Sequence, residues 1–208
     1  MNTENDDNSL LAAWRAGDKH AGEALFERYF DSIYRFFERN TRGDVSDLVQ
    51  RTFLGCIEAR DRFQQASSFR TFLFAIARNE LFGHYRSRKK DGVLDFSVSS
   101  LAELAPTPST LARQRSEREV LLDALRSLPL ELQLAVELRF WENLSGPELA
   151  TVLEIPEGTV RSRLRRALEM LLQTLESQGD ASSFVLTSGS DLEAWAVALS
   201  ERVRLSEE

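Results

Sequence analysis

The stretch LSGPELATVLEIPEGTVRSRLRRALEMLLQTL, Leu144 to Leu175, spells two helices around a tight turn, and the second of them carries the arginines. Ser145 and Glu148 stand in the S-x-x-E spacing of a capping box, in which each side chain satisfies a backbone N–H at the other's position. Pro147 is tolerated in a first helical turn. A short helix is therefore expected here, carrying Leu149, Val152 and Leu153 on one side. Pro156 and Gly158 then punctuate the chain, and Thr159 is the expected N-cap of the next helix. That helix places Val160, Leu164, Ala167, Leu168, Leu171 and Leu175 on one face at three- and four-residue steps. Arg161, Ser162, Arg165 and Arg166 remain on the other face.

Such a pair reads as a helix-turn-helix, whose second helix enters the major groove with its N-terminal residues at the base edges. Arginine suits that place because its planar fork bonds guanine O6 and N7 together, or a phosphate, where lysine offers a point charge. A merely solvated basic face is the competing reading. The capping box and the Pro-Glu-Gly turn count against it.

Composition bounds the rest. The chain has 208 residues, 42% hydrophobic and 28% charged, which describes a globular protein of one or two domains. Met1 to Ser9 is acidic and polar rather than basic then apolar, so no signal peptide is expected, and no apolar run approaches a membrane span. A cytoplasmic protein without membrane insertion is the expectation. Cys56 is the single cysteine, which excludes an internal disulfide, and its helical neighbours Leu54 and Ile57 make it a packing residue. With His20 and His84 as the two histidines, no metal-ligand spacing is present, and His84 reads as a polar surface residue rather than a base.

A net charge of −7 runs against nucleic-acid binding until its distribution is considered. Acidic residues gather at Glu4 to Asp7, at Asp44 and Asp47, and at Glu207 and Glu208. Basic ones gather at Arg86 to Lys90 and at Arg161 to Arg166, as two separated patches. Two DNA contacts follow from that pattern.

The chain is bipartite. From Leu10 to about Lys90 there is no proline, and apolar residues recur at helical steps through Leu25, Phe26, Tyr29, Ile33, Phe36 and Phe37, then Leu48, Val49, Phe53 and Ile57, then Phe69, Phe72, Leu73, Ile76 and Leu81. Residues 91–110 are richer in Ser, Pro and Gly and read as a linker. A second helical domain is expected over 111–176, with Leu121, Leu122, Leu125 and Leu128 before the break at Pro129. After Gln178 comes a Gly-Asp-Ala-Ser-Ser joint, then an amphipathic segment with Leu192, Trp195 and Leu199, so that 177–208 forms a C-terminal extension with a short helix. The expected class is all-α: two helical domains joined by a flexible linker, plus that extension.

Four segments in order then resemble one family: DLVQRTF at Asp47 to Phe53, SFRTFLFAIARN at Ser68 to Asn79, SLPLE at Ser127 to Glu131, and GTVRSRLRRAL at Gly158 to Leu168. The chain resembles a sigma factor of the sigma-70 family, in its extracytoplasmic-function (ECF) group, over about Leu10 to Leu175. The resemblance implies that 10–90 is a region-2 domain binding core RNA polymerase and the minus-ten element. It implies likewise that 111–176 is a region-4 domain reading the minus-thirty-five element. It aligns Asp47, Leu48, Gln50 and Phe53 with the helix that docks on the beta-prime coiled coil, with Asp47 and Gln50 as polar contacts and Leu48 and Phe53 as apolar anchors. Arg51 departs from the family's usual Glu.

Residues Arg62, Phe63, Gln64, Gln65, Ala66, Ser67 and Ser68 align with the loop that captures a base flipped from the minus-ten strand. Flipping costs a few kcal/mol, which stacking and polar contacts recover. Asn79 matches a position on the same element, where its amide offers both donor and acceptor. Phe72 stands where the family often has Trp, and burial in the core is its expected role. Arg78, Tyr85, Arg86, Arg88, Lys89 and Lys90 would follow the phosphate backbone. In the second domain Arg161, Ser162, Arg165 and Arg166, with Thr159 at the helix start, align with the minus-thirty-five reader. Arg161 is assigned to phosphate, and Arg165 with Arg166 to the groove. Arg163 lies nearer the packing side and is placed to pair with an acidic neighbour.

The resulting expectation is recruitment without chemistry in this chain: no catalytic residues, cofactor or metal, with core RNA polymerase (beta-prime and beta subunits) and promoter DNA as partners, and an anti-sigma factor as a partner the resemblance admits. No paired carboxylates, nucleophile or Gly-rich phosphate loop argues for an enzyme. The alternative is a stand-alone dimeric helix-turn-helix repressor or activator, which explains Leu144 to Leu175 equally well but leaves DLVQRTF and the Asn79 region as coincidence. A polymerase-binding inhibitor without DNA specificity is a third class, against which the arginine-rich helix argues.

Overall fold

The computed structural model describes residues 3–63, 67–88, 95–100, 117–177 and 197. Among them the chain forms eight α-helices, one 3-10 turn and no strand, so the all-α expectation holds. It divides into two compact units, residues 1–93 with 147–155 and residues 94–146 with 156–208. The expected boundaries differ from these in two places. The segment 147–155 groups with the first unit, and the start of the expected linker, from Leu94, groups with the second. The C-terminal extension, with Leu192, Trp195 and Leu199, lies outside the described residues apart from Ser177 and Val197.

In the first unit α1 (Thr3–Arg15), α2 (Lys19–Asn40), α3 (Ser46–Ala59) and α4 (Phe69–Arg88) pack around one core. Leu11, Leu25, Ile33, Phe36, Phe37, Phe69, Leu73, Phe74 and Leu81 are fully buried there. These residues recur at helical steps in the sequence, and the steps bring them to one side of each helix. The turn between α1 and α2 needs Gly17, whose φ of 105° is open to glycine, and Asp18 then caps α2 by accepting from the backbone N–H of His20 at 3.0 Å. Asp7 on α1 is buried and accepts from the Tyr29 hydroxyl and the Arg28 guanidinium of α2, which ties the two helices together. Tyr85 closes the far end by donating to the Asn40 carbonyl at 2.7 Å.

Gly22 of α2 lies against Trp14, and a Cβ added there would stand 2.6 Å from the indole nitrogen. Alanine in a helix interior gains about 1 kcal/mol over glycine, but overpacking of this kind costs about 1–3 kcal/mol. Gly22→Ala is therefore expected to lower the thermal midpoint by a few degrees. A midpoint at or above wild type in a thermal melt would show that Trp14 is free to move aside.

Cys56 of α3 is fully buried, and burial pushes its thiol up to about 12. The packing role expected from sequence is what the structure gives it.

In the second unit α5 (Glu117–Ser127), α6 (Leu130–Phe140) and α8 (Glu157–Ser177) pack together through Leu121, Leu125, Leu134, Leu138, Leu164 and Leu171. Helix α6 is buried at nearly every position, with Gln133 and Glu137 among the buried residues. Its N-terminus starts at Pro129, which offers no side-chain cap. Backbone carbonyls from the preceding segment stand in: Leu130 N–H donates to Ser99 O at 3.0 Å and Glu131 N–H to Phe96 O at 3.2 Å. Phe96 is buried and Ser97 is held by Asp95, so 95–100 is a strap on α6 rather than free linker. The remainder of the expected linker, 91–94 and 101–110, lies outside the described residues.

Helix α7 (Gly146–Leu153) begins where the sequence places it. It stops in a Schellman motif: Glu154 takes a left-handed φ of 55°, and Ile155 N–H returns to Ala150 O at 3.1 Å. Helix α8 then begins two residues before the expected N-cap. Thr159 lies within the first turn, with its N–H on Pro156 O at 2.8 Å. The backbone carbonyl of Pro156, not the Thr159 hydroxyl, opens the helix.

Candidate nucleic-acid interface

The reading face of α8 is set by its own periodicity. Val160, Leu164, Ala167 and Leu168 are buried, which turns Arg161, Ser162, Arg165 and Arg166 outward as exposed side chains. Thr159 is half-buried at the start of the helix, and its carbonyl accepts from the Ser162 hydroxyl at 2.9 Å. Arg163 lies between the two faces, and its Nη2 meets Glu131 Oε2 at 2.7 Å. Arg165 stands 3.7 Å from Glu169, one turn on. Among the described residues Arg161 and Arg166 form no ion pair. A cleft of about 480 Å³ runs between Ser97, Glu131 and the side chains of Ser162, Arg163, Arg165 and Arg166. Its wall is thus partly the strap.

The second basic patch lies on α4. Phe82, 5% exposed, sits between two guanidinium groups, that of Arg78 at 4.9 Å and that of Arg86 at 5.9 Å from its ring centroid. The i, i+4, i+8 spacing places all three on one stripe. Asn79 is exposed beside them, with its Oδ1 3.4 Å from Arg78 Nη1. Arg88 is exposed and donates to His84 Nε2 at 3.1 Å. Burial first, then the charges of Arg88 and Arg51, hold His84 below its ordinary pKa, so its ring serves as a neutral acceptor near pH 7. Tyr85 is buried and hydrogen-bonded within the core, away from a phosphate-tracking role. Lys89 and Lys90 lie outside the described residues.

The expected capture loop is described at its two ends, while Gln64, Gln65 and Ala66 lie outside the described residues. Arg62 is exposed at the end of the 3-10 turn, and Phe63 leaves that turn in extended conformation. The Phe63 ring stacks on Phe72 with centroids 4.4 Å apart and planes at 24°. Phe72 is therefore half-buried in a surface aromatic pair rather than enclosed in the core. Ser67 is half-buried, and Ser68 caps α4, its hydroxyl accepting from Thr71 N–H at 3.1 Å. On the other side Arg15 of α1 donates through Nε and Nη2 to the Arg60 carbonyl at 3.0 and 2.7 Å, and through Nη2 to the Phe63 carbonyl.

The third surface is α3. Asp47 and Gln50 are exposed, and Asp47 forms an i, i+4 ion pair with Arg51. Leu48 and Phe53 point inward instead, at 3% and 9% exposure, with the Phe53 ring tilted against Phe26, centroids 4.7 Å apart. The exposed apolar residues of this helix are Leu54 and Ile57, which sequence reading did not select as contacts. Apolar residues fall on more than one side of α3, and periodicity does not say which side meets the bundle. On α2, Phe30 is also exposed and stacks on Phe53 with planes at 7°.

Comparisons with known proteins show the family. The sigma-70 region 2 family model matches residues 25–91, and the sigma-70 region 4 model matches residues 118–171. An ECF RNA polymerase sigma-E factor of Haemophilus influenzae is 30% identical over 175 residues, 79% of this chain and 93% of the relative. That of Escherichia coli is 30% identical over 181 residues, 82% of this chain and 95% of the relative. In fold, the chain is similar to CnrH in its complex with the cytosolic domain of CnrY, with a TM-score of 0.62 and 24% identity over 83% of this chain and 98% of that one. It is also similar to the sigma factor RpoE of Bartonella quintana in complex with the anti-sigma factor NepR, with a TM-score of 0.58 and 24% identity over 74% of this chain and 96% of that one. The chain belongs to the sigma-70 family, in its ECF group. It is a sigma factor that directs promoter-specific initiation of transcription.

Proposed function

We propose that the three surfaces divide that activity among them. Helix α3, through exposed Asp47, Gln50, Leu54 and Ile57, takes the coiled coil of the polymerase beta-prime subunit. The segment from Arg62 to Ser68, with Asn79 and the stripe of Arg78 and Arg86, takes the minus-ten element, and Arg88 and Lys89 carry the contact along the backbone. Helix α8 reads the minus-thirty-five element, with Arg161 on phosphate and Arg165 and Arg166 in the groove. On this reading 10–90 and 111–176 are the working domains.

The observation that best supports this division is the outward face of α8, where arginines stand opposite a buried leucine face. Apart from the exposed Arg165–Glu169 pair, such a helix gains nothing from those charges within its own fold, and a polyanion rewards them. The chain itself carries no chemistry: nucleotide addition belongs to the polymerase, and the work is done in the cytoplasm. No described helix is long and apolar enough to cross a membrane. An anti-sigma factor is a further partner on this proposal, as NepR is for RpoE.

Co-elution of the purified chain with bacterial core RNA polymerase, followed by transcription from promoters selected by that holoenzyme, tests the division. Asp47→Arg is expected to weaken co-elution at least tenfold without shifting the thermal midpoint. Undiminished co-elution of that variant would remove α3 from the interface. Tight duplex binding by the chain alone, without core, would show that its DNA contacts do not depend on the polymerase.

A further inference from the structure

We infer that Arg15 is a positioning residue for promoter melting, fixing the chain at Phe63, near the start of the segment assigned to the minus-ten strand. It resides on α1, apart from the individual residues that the family resemblance assigns to DNA or polymerase.

Helix α3 and the 3-10 turn Arg60–Arg62 end with carbonyls that have no helical partner, and the chain then leaves through Phe63 in extended backbone. The part-buried Arg15 satisfies two of these carbonyls with one guanidinium, binding Arg60 O through Nε and Nη2 and Phe63 O through Nη2. The same α1 terminus holds the turn from a second side, because the Arg60 guanidinium lies 5.0 Å from the Trp14 ring centroid. Phe63 is thereby fixed between the Arg15 guanidinium, 5.8 Å from its centroid, and Phe72, 4.4 Å away. The planar fork holds the Arg60 carbonyl from two nitrogens while Nη2 also reaches the Phe63 carbonyl, and a lysine ammonium, a single nitrogen, has no second nitrogen to fix that geometry. Arg15 points at protein backbone, so its contribution to DNA binding is geometric and not ionic. Misplacement of a binding surface by about 1 Å is enough to lose much of an interaction that depends on alignment.

The inference rests on the assignment of Arg62 to Ser68 to the minus-ten element, and the test separates the two. Wild type, Arg15→Gln, Arg15→Lys and Arg62→Ala are each assembled with core polymerase. Core affinity, opening of a duplex promoter by 2-aminopurine fluorescence, and the salt dependence of binding to a single-stranded minus-ten oligonucleotide are then measured. The expected result is that Arg15→Gln lowers opening at least tenfold with core affinity within twofold of wild type and an unchanged salt slope. Arg15→Lys falls between the two, and it keeps the charge should Arg15→Gln fold poorly. Arg62→Ala also lowers opening, but with a salt slope smaller by about one phosphate. Opening by both Arg15 variants within twofold of wild type overturns the inference, as does loss of core affinity in parallel with opening. Normal opening by Arg62→Ala removes the loop assignment itself, and the role of Arg15 with it.

Discussion

Arg166→Ala is expected to relax discrimination at one base pair of the minus-thirty-five element by about 1–3 kcal/mol, while Arg161→Ala weakens binding to all sequences alike. The difference follows from what each side chain is free to do. Both are exposed on α8 and form no ion pair among the described residues, so neither must break an internal contact to reach DNA. Arg161 is nearer the helix N-terminus, and Arg166 stands more than a turn further along. Transcription from a panel of minus-thirty-five single-base variants, repeated at two salt concentrations, distinguishes them. Arg161→Ala should reduce the salt slope by about 1 with the ranking of variants preserved. An identical ranking for Arg166→Ala and wild type would place Arg166 on the backbone instead.

Leu54→Asp and Ile57→Asp are each expected to cost about 2–4 kcal/mol of core polymerase affinity, the size of an interface hot spot, with the fold intact. Both side chains are close to half exposed, at 49% and 45%, so a carboxylate there remains in water in the free protein. Buried against an apolar partner, the same carboxylate loses its hydration without a counter-charge. Phe53→Ala should behave in the opposite way: at 9% exposure it supports the bundle, and its loss costs about 3–5 kcal/mol of stability. Core titrations paired with thermal melts separate the cases. Wild-type affinity in both aspartate variants would move the apolar contact elsewhere, with Phe30 as the remaining exposed ring beside Phe53.

Those two cases also show where sequence suffices. The recognition helix was legible because its burial follows a single period: every fourth or third residue is apolar, and the arginines occupy what is left. Even the pairing of Arg163 with an acidic residue follows from its position between the two faces, and Glu131 is that partner. Helix α3 was legible as a helix but not in its orientation, since Leu48, Phe53, Leu54 and Ile57 are all apolar and only packing selects among them. Backbone acceptors leave no trace in sequence at all. The strap 95–100 caps α6 through two carbonyls, Pro156 opens α8 through another, and Arg15 finds two more. None of these contacts asks for a particular residue type at the accepting position. For that reason the strap read as linker, Thr159 read as a cap, and Arg15 passed unremarked.

The seating of Cys56 also decides how this chain meets oxidants. Burial pushes its thiol up to about 12, so the reactive thiolate is strongly disfavoured at neutral pH, and no solvent reaches it. It is the chain's single cysteine, so peroxide and disulfide reagents find no reactive sulfhydryl on the folded protein. Thiol chemistry is thereby closed to the folded chain, and a thiol-borne signal would act on it through the binding or release of another molecule.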